Sequence, residues 1–165
     1  MMITLTGFMG SGKTTVGKVL ADALGCPFMD LDDLIVKKAG KTIPEIFAQD
    51  GEPAFRQLEA RLLRQTVEKY TENTVVLALG GGAVTTSASA TLLHEKTVCI
   101  YLRATLETLL LRLSGETAGR PLADDALSER LAAREPLYEE TAHVIIDTDG
   151  LAPDEVADEI IISSL

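Results

Sequence analysis

The sequence predicts an α/β fold: a five-stranded, mostly parallel sheet flanked by helices on both faces. Three observations carry this. Five short apolar runs, at 2–6, 28–30, 75–79, 98–102 and 144–147, alternate with stretches whose apolar residues recur at helical spacing. The first run passes through a glycine-rich loop directly into a helix. The connections are short and polar, with no internal repeat or long linker, so the 165 residues read as one domain.

The first run, Met2 to Thr6, leads into Gly7-Phe8-Met9-Gly10-Ser11-Gly12-Lys13-Thr14. This is the phosphate-binding pattern of a glycine, four residues, then Gly-Lys-Ser/Thr. In the helix that follows, Val16, Val19, Leu20, Ala23 and Leu24 form an apolar side. Strand, glycine loop and helix together give the pattern its chemistry. Gly10 and Gly12 let the loop curl, and the N–H groups of Gly10, Ser11, Gly12, Lys13, Thr14 and Thr15 can then face phosphate oxygens. The helix N-terminus adds partial positive charge. Lys13 has the reach for β- and γ-phosphates, and the Thr14 hydroxyl suits Mg²⁺. The phosphates of a nucleotide, with Mg²⁺, are therefore the expected ligands of this loop.

Phe28-Met29-Asp30 is the second strand, and Asp30, Asp32 and Asp33 stand at its carboxyl end, where ligands gather in open α/β sheets. Asp30 and Asp32 admit two readings: Mg²⁺ and proton chemistry, or capping of the helix through Ala39. Thr42 and Glu45 form a capping box for a short helix with Ile43, Ile46 and Phe47 on its apolar side. After Asp50-Gly51 a longer helix runs through Tyr70. Arg56 lies in its first turn, against the helix dipole. It is there for an anionic ligand or as a surface partner of Glu59.

Val75 to Leu79 is continuously apolar, hence a central strand. It ends in Gly80-Gly81-Gly82, which reads as close backbone approach to a ligand in preference to a plain tight turn. A helix from Thr86 to His94, a strand from Val98 to Leu102 and a helix from Thr105 to Leu113 follow. His94 is a surface residue on this reading, since no second ligand stands at a metal-site spacing. The stretch 114–122, small and polar at both edges, is expected to be a flap carrying Arg120. A helix from Asp124 to Tyr138 bears Arg130 and Arg134. A last strand at 144–147 and a helix from Asp154 to Ser163 close the chain.

The formal charge is −10, which argues against nucleic acid as a partner and requires the cations of a phosphate site to be concentrated locally. No apolar run is long enough to cross a membrane, and the first strand begins at once, so neither membrane association nor a signal peptide is expected. Cys26 and Cys99 are expected to be buried thiols, consistent with the cytoplasm. Oligomerisation has no signature here, and a monomer is expected.

Taken together, the motifs resemble those of the shikimate kinase family. The resemblance rests on Gly-Phe-Met-Gly-Ser-Gly-Lys-Thr-Thr at 7–15, Phe-Met-Asp-Leu-Asp at 28–32, Asp-Gly-Glu-Pro-Ala-Phe-Arg at 50–56 and Leu-Gly-Gly-Gly-Ala-Val at 79–84. Arg-Pro-Leu at 120–122 and Arg-Glu-Pro-Leu-Tyr at 134–138 extend it. It implies a P-loop NTPase of the nucleoside-monophosphate-kinase-like kind, with a substrate-binding segment near 31–60 and a lid near 113–124. It implies transfer of the γ-phosphate of ATP to the 3-hydroxyl of shikimate, on the route to chorismate and the aromatic amino acids. Carried over, Asp32 contacts that hydroxyl as candidate base, and Asp30 holds magnesium through water. Arg56, Gly80, Gly81, Gly82 and Arg134 bind the substrate, the arginines on its carboxylate. Phe47 and Phe55 wall its pocket. Lys13 and Arg120 act on the phosphates, and Arg112 flanks the adenine. One departure stands out. Members of the family often carry an arginine in the loop before the last helix, where this chain has Gly150-Leu151-Ala152-Pro153, which bears on selectivity for the nucleotide base.

Other readings are a sugar or nucleoside monophosphate kinase of the same fold, and an ATP-binding module without turnover. The second is opposed by the presence of Lys13, Asp32 and Arg120 together. A GTPase is opposed by the lack of an Asn-Lys-x-Asp stretch.

Overall fold

The computed structural model describes residues 1–116 and 124–164, without the side chains of 114–116 and 124. Strands β1 (Met2–Thr6), β2 (Phe28–Asp30), β3 (Val75–Ala78), β4 (Val98–Arg103) and β5 (Val144–Asp147) form one sheet in the order β2-β3-β1-β4-β5. Every pairing is parallel. The helices are α1 (Lys13–Leu24), α2 (Leu31–Ala39), α3 (Ile43–Asp50), α4 (Glu52–Lys69), α5 (Ser87–Lys96), α6 (Leu106–Glu116), α7 (Asp124–Thr141) and α8 (Pro153–Ser164).

Alternation along the central strands divides the core in two. Ile3, Leu5, Val76, Ile100 and Leu102 face Val16 and Leu20 of α1 and Val156 and Ile160 of α8. Val75, Leu77, Cys99 and Tyr101 point to the opposite side, where Leu63, Val67, Leu93 and Tyr138 cover them. Burial on both faces is why these strands read as continuous apolar runs. Thr4, fully buried on β1, is satisfied by Thr97 at 2.9 Å, whose hydroxyl donates to Leu93 O.

Most boundaries match the sequence reading within two or three residues. The helix expected from Thr86 begins at Ser87, behind a 3₁₀ turn at Ala83–Thr85 that buries Ala83 and Val84. Helices α6 and α7 each run three residues past their expected ends. Cys26 is half-buried, a correction to the expectation of a buried thiol; Cys99 is fully buried. His94 is exposed as expected. Its ring stacks on His143 at 4.6 Å, and its Nδ1 lies 3.1 Å from Thr141 O. No helix among the described residues is long and apolar enough to cross a membrane.

Strand order fixes where chemistry can occur. β1 and β3 are neighbours, so the loop after β1 and the glycines after β3 meet at one edge. The β2–α2 junction joins them from the other side of β3.

Candidate active site

The loop between β1 and α1 takes its shape from glycine. Gly10 and Gly12 have φ of 84° and 95°, a left-handed conformation that side chains disfavour. Gly12 caps α1 with no side-chain acceptor, and the first turn of α1 holds no acidic residue. Its orphan N–H groups are left for an external anion. A cleft of about 350 Å³ lies against them, lined by residues 10–16 together with Arg112, Thr148, Leu151, Pro153 and Val156.

Lys13 is half-buried, and its ammonium donates to Gly7 O at 2.8 Å and Phe8 O at 3.0 Å. Burial pulls its pKa down to about 8, against the opposing pull of Asp32 and Asp30. Phosphate oxygens beside it would restore the charge. Arg112 donates to Gly10 O at 3.2 Å, to Thr148 Oγ1 at 3.3 Å and to Thr148 O at 3.2 Å. It thereby ties the phosphate loop to the turn after β5 while lining the same cleft. Leu151 and Pro153, from the loop that lacks a basic residue, supply an apolar wall there.

Asp30 caps the helix, one of the two readings offered for it, and its second oxygen faces the phosphate loop. Oδ1 accepts from the backbone N–H of Asp32 at 2.9 Å, capping α2. Oδ2 accepts from Thr14 Oγ1 at 3.0 Å. A hydroxyl and a carboxylate thus stand together at the mouth of the phosphate loop. This donor set fits Mg²⁺, which is held by one or two protein oxygens with phosphates and water. Among the described residues no cluster of three or more His, Cys, Asp or Glu forms an all-protein metal cage.

A second cavity, about 260 Å³, opens beside the first. Its lining includes Asp32, Phe47, Phe55, Arg56, Gly80, Gly81, Gly82 and Arg134, every substrate-binding residue expected from the sequence. The three glycines are its floor, and their lack of side chains is what the site requires. A Cβ on Gly80 would lie 3.0 Å from Asp32 Oδ1 and 3.2 Å from Glu59 Oε2. On Gly81 it would lie 3.5 Å from Arg134 Nη1, and on Gly82 2.3 Å from Arg56 Nη2. Two carboxylates and two guanidinium groups therefore converge on three consecutive residues.

Packing holds these charges. Phe47 and Phe55 stack at 4.8 Å, and the Arg56 guanidinium lies 5.1 Å from the Phe55 ring centre. Arg134 lies 5.8 Å from the ring of Phe8. Tyr138 donates to Gly81 O, and burial pushes its hydroxyl up to about 12, so it stays a donor. Burial and the neighbouring Asp30 raise the Asp32 carboxyl above the usual carboxylate range, with Lys13 opposing.

Sequence reasoning placed Glu59 only as a surface partner of Arg56. The ion pair is present at 2.8 Å, yet Glu59 is 1% exposed and its Oε2 has no hydrogen-bond partner among the described residues. It belongs to the site. Its spacing of three from Arg56 was the available signal, but burial depends on the approach of Gly80 from β3. Met9, Ile43 and Arg130 line the same cavity and were likewise unassigned. Arg120 and most of the expected flap at 113–124 lie outside the described residues.

The comparisons with known proteins agree with this geometry. The family model described as Shikimate kinase matches residues 9–164. A shikimate kinase of Enterococcus faecalis is 42% identical over 164 residues, covering 96% of this chain and 95% of that protein. One of Geobacter sulfurreducens is 44% identical over 163 residues, covering 96% and 87%. Among solved structures, the shikimate kinase of Acinetobacter baumannii in complex with shikimate superposes with a TM-score of 0.87 at 38% identity, covering 97% of this chain and 90% of that one. That of Bacteroides thetaiotaomicron gives 0.88 at 31%, covering 99% and 98%. The family model spans most of the phosphate loop, the triple-glycine floor and all three arginines of the second cavity, and on that breadth of match the chain belongs to the shikimate kinase family.

Proposed function

We propose that this chain transfers the γ-phosphate of ATP to the 3-hydroxyl of shikimate, giving shikimate 3-phosphate and ADP. The observation that carries the substrate is the meeting of Asp32, Arg56 and Arg134 over Gly80 to Gly82, next to a phosphate loop. A small hydroxylated carboxylate has one end for guanidinium groups and another for a carboxylate.

The roles divide as follows. The loop N–H groups and Lys13 hold the phosphates, and Lys13 offsets charge that develops on the transferring group. Thr14, and Asp30 through water, would hold Mg²⁺, which would supply further neutralisation of the phosphates when bound. Arg56 and Arg134 hold the carboxylate of shikimate, and Phe47 and Phe55 cover its ring. Asp32 accepts a hydrogen bond from the attacking hydroxyl and receives its proton. Arg120 is assigned to the phosphates by the resemblance alone. The reading includes a monomer in the cytoplasm, to which the two free cysteines are suited.

A coupled assay of ADP release with and without shikimate tests the reaction. Shikimate-independent release, or none, would overturn it.

Asp32→Asn separates chemistry from folding. The amide keeps the shape and accepts no proton, so kcat should fall by roughly 10²–10⁴-fold. Burial raises the folded-state pKa of Asp32, so its ionised form costs stability at neutral pH, a cost relieved as pH falls. The Asn variant should therefore unfold at an equal or higher temperature than wild type. A destabilised variant with normal kcat would contradict both statements.

Gly82→Ala tests the floor. Its φ of −107° suits any residue, so the backbone is not strained, but the new methyl takes the place of the Arg56 guanidinium. KM for shikimate should rise roughly tenfold or more, since a charged contact is lost, with KM for ATP nearly unchanged. Equal effects on both substrates would place Arg56 elsewhere.

A further inference from the structure

Arg130 and Arg134 stand one turn apart on α7 and both line the shikimate cavity. Arg134 is half-buried, whereas Arg130 is exposed. Arg130 makes no ion pair with any described residue. Like charges at this spacing disfavour a helix by a few tenths of a kcal/mol, so α7 itself gains nothing from the arrangement.

Formal charge shows what Arg130 adds. The cavity is lined by three arginines, Arg56, Arg130 and Arg134, and by two carboxylates, Asp32 and Glu59. Its sum is +1 with Arg130 and zero without it, in a chain whose total is −10. An anionic substrate approaching this protein is repelled by the molecule as a whole. The exposed guanidinium at the cavity is the group that takes the local sum from zero to +1.

We propose that Arg130 is a capture residue for shikimate: it draws the carboxylate into the cavity, and Arg134 and Arg56 then hold it. The proposal rests on the substrate assignment above. Arg130 acts through charge at the rim, not through a fixed contact in the reacting complex.

The test compares wild type with Arg130→Ala, Arg130→Glu and Arg130→Lys in steady-state assays across ionic strength. At about 0.02 M salt, Arg130→Glu should lower kcat/KM for shikimate roughly tenfold and Arg130→Ala about threefold. The loss should lie in KM, with kcat within about twofold and KM for ATP unchanged. Arg130→Lys should match wild type, since steering needs a charge and no planar fork. The deficits should close towards about 0.5 M salt, as the Debye length contracts from about 20 Å to about 4 Å. Melting temperatures should not fall, because no ion pair with a described residue is lost.

A deficit independent of salt, a large loss of kcat in Arg130→Ala, or failure of Arg130→Lys to restore kcat/KM would overturn capture in favour of a direct ligand. Wild-type behaviour of Arg130→Glu at low salt would overturn any role. Each of these leaves wild-type turnover of shikimate intact. A wild-type chain that does not turn over shikimate would instead remove the substrate assignment and this proposal with it.

Discussion

Lys13→Ala should abolish most phosphoryl transfer while leaving a folded protein, with kcat reduced by roughly 10²–10³-fold or more. The ammonium is held by Gly7 O and Phe8 O and contributes little to either half of the core. Its burial has a further consequence. The folded-state pKa of about 8 lies below the unfolded value of 10.5, so the folded chain binds fewer protons between these limits. Stability of the nucleotide-free protein should rise with pH across that window, and below it the buried charge carries a constant cost. Lys13→Met removes the charge and keeps the apolar stem. It should be inactive yet melt higher than wild type at pH 7, with the difference vanishing as pH approaches 10.5. Phosphates re-protonate the lysine, so ATP binding above pH 8 should take up protons and weaken as pH rises. Calorimetry in two buffers of different ionisation enthalpy measures that uptake. Near-normal turnover in Lys13→Ala, or proton uptake undiminished in Lys13→Met, would remove Lys13 from the nucleotide.

The elements whose signals are local were legible in the sequence. The strand, glycine loop and α1 announced themselves through spacing and residue type, and Thr42 with Glu45 forms the capping box that their spacing predicts. Asp30 and Arg56 were ambiguous because each has both local and long-range partners. Asp30 caps α2 with one oxygen and meets Thr14 with the other. Arg56 pairs with Glu59 and also crosses Gly82. Local rules detect the first partner of each, and only the fold supplies the second. Glu59 and Arg130 escaped for the same reason. Whether a helical carboxylate is buried depends on what packs over it, and which face of α7 meets the cavity is set by Leu127, Leu131 and Tyr138 seating in the core. Cys26 differs because β2 lies at the sheet edge, where covering elements are fewer.

The arginine clamp yields the sharpest expectation about the substrate. Arg134 meets the cavity beside Gly81, Arg56 beside Gly82, and aromatic rings flank both guanidinium groups. A carboxylate held between them is partly desolvated, and truncating one partner of such a pair costs about 2–5 kcal/mol. Arg134→Ala should therefore lower kcat/KM for shikimate by tens- to thousands-fold. ATP affinity should hardly change. Arg134 forms no ion pair among the described residues, so this loss should be chiefly one of binding, with a smaller effect on stability through its interactions with Tyr138 and Glu59. Arg56→Ala is different. It strips Glu59, 1% exposed, of its counter-charge, and an unpaired buried carboxylate is strongly destabilising. Arg56→Ala should thus lose stability as well as affinity, and Arg56→Ala with Glu59→Gln should recover stability without recovering shikimate binding. Lysine at either position should restore only part of the loss, because an ammonium cannot reproduce the planar fork. The Arg56→Ala and Arg134→Ala effects should be less than additive, since both act on one carboxylate. Calorimetry of shikimate and ATP binding in these variants, beside their melting temperatures, decides the matter. Unchanged shikimate affinity in both single alanine variants would dissolve the clamp, and with it the chemical reason for choosing a carboxylate substrate.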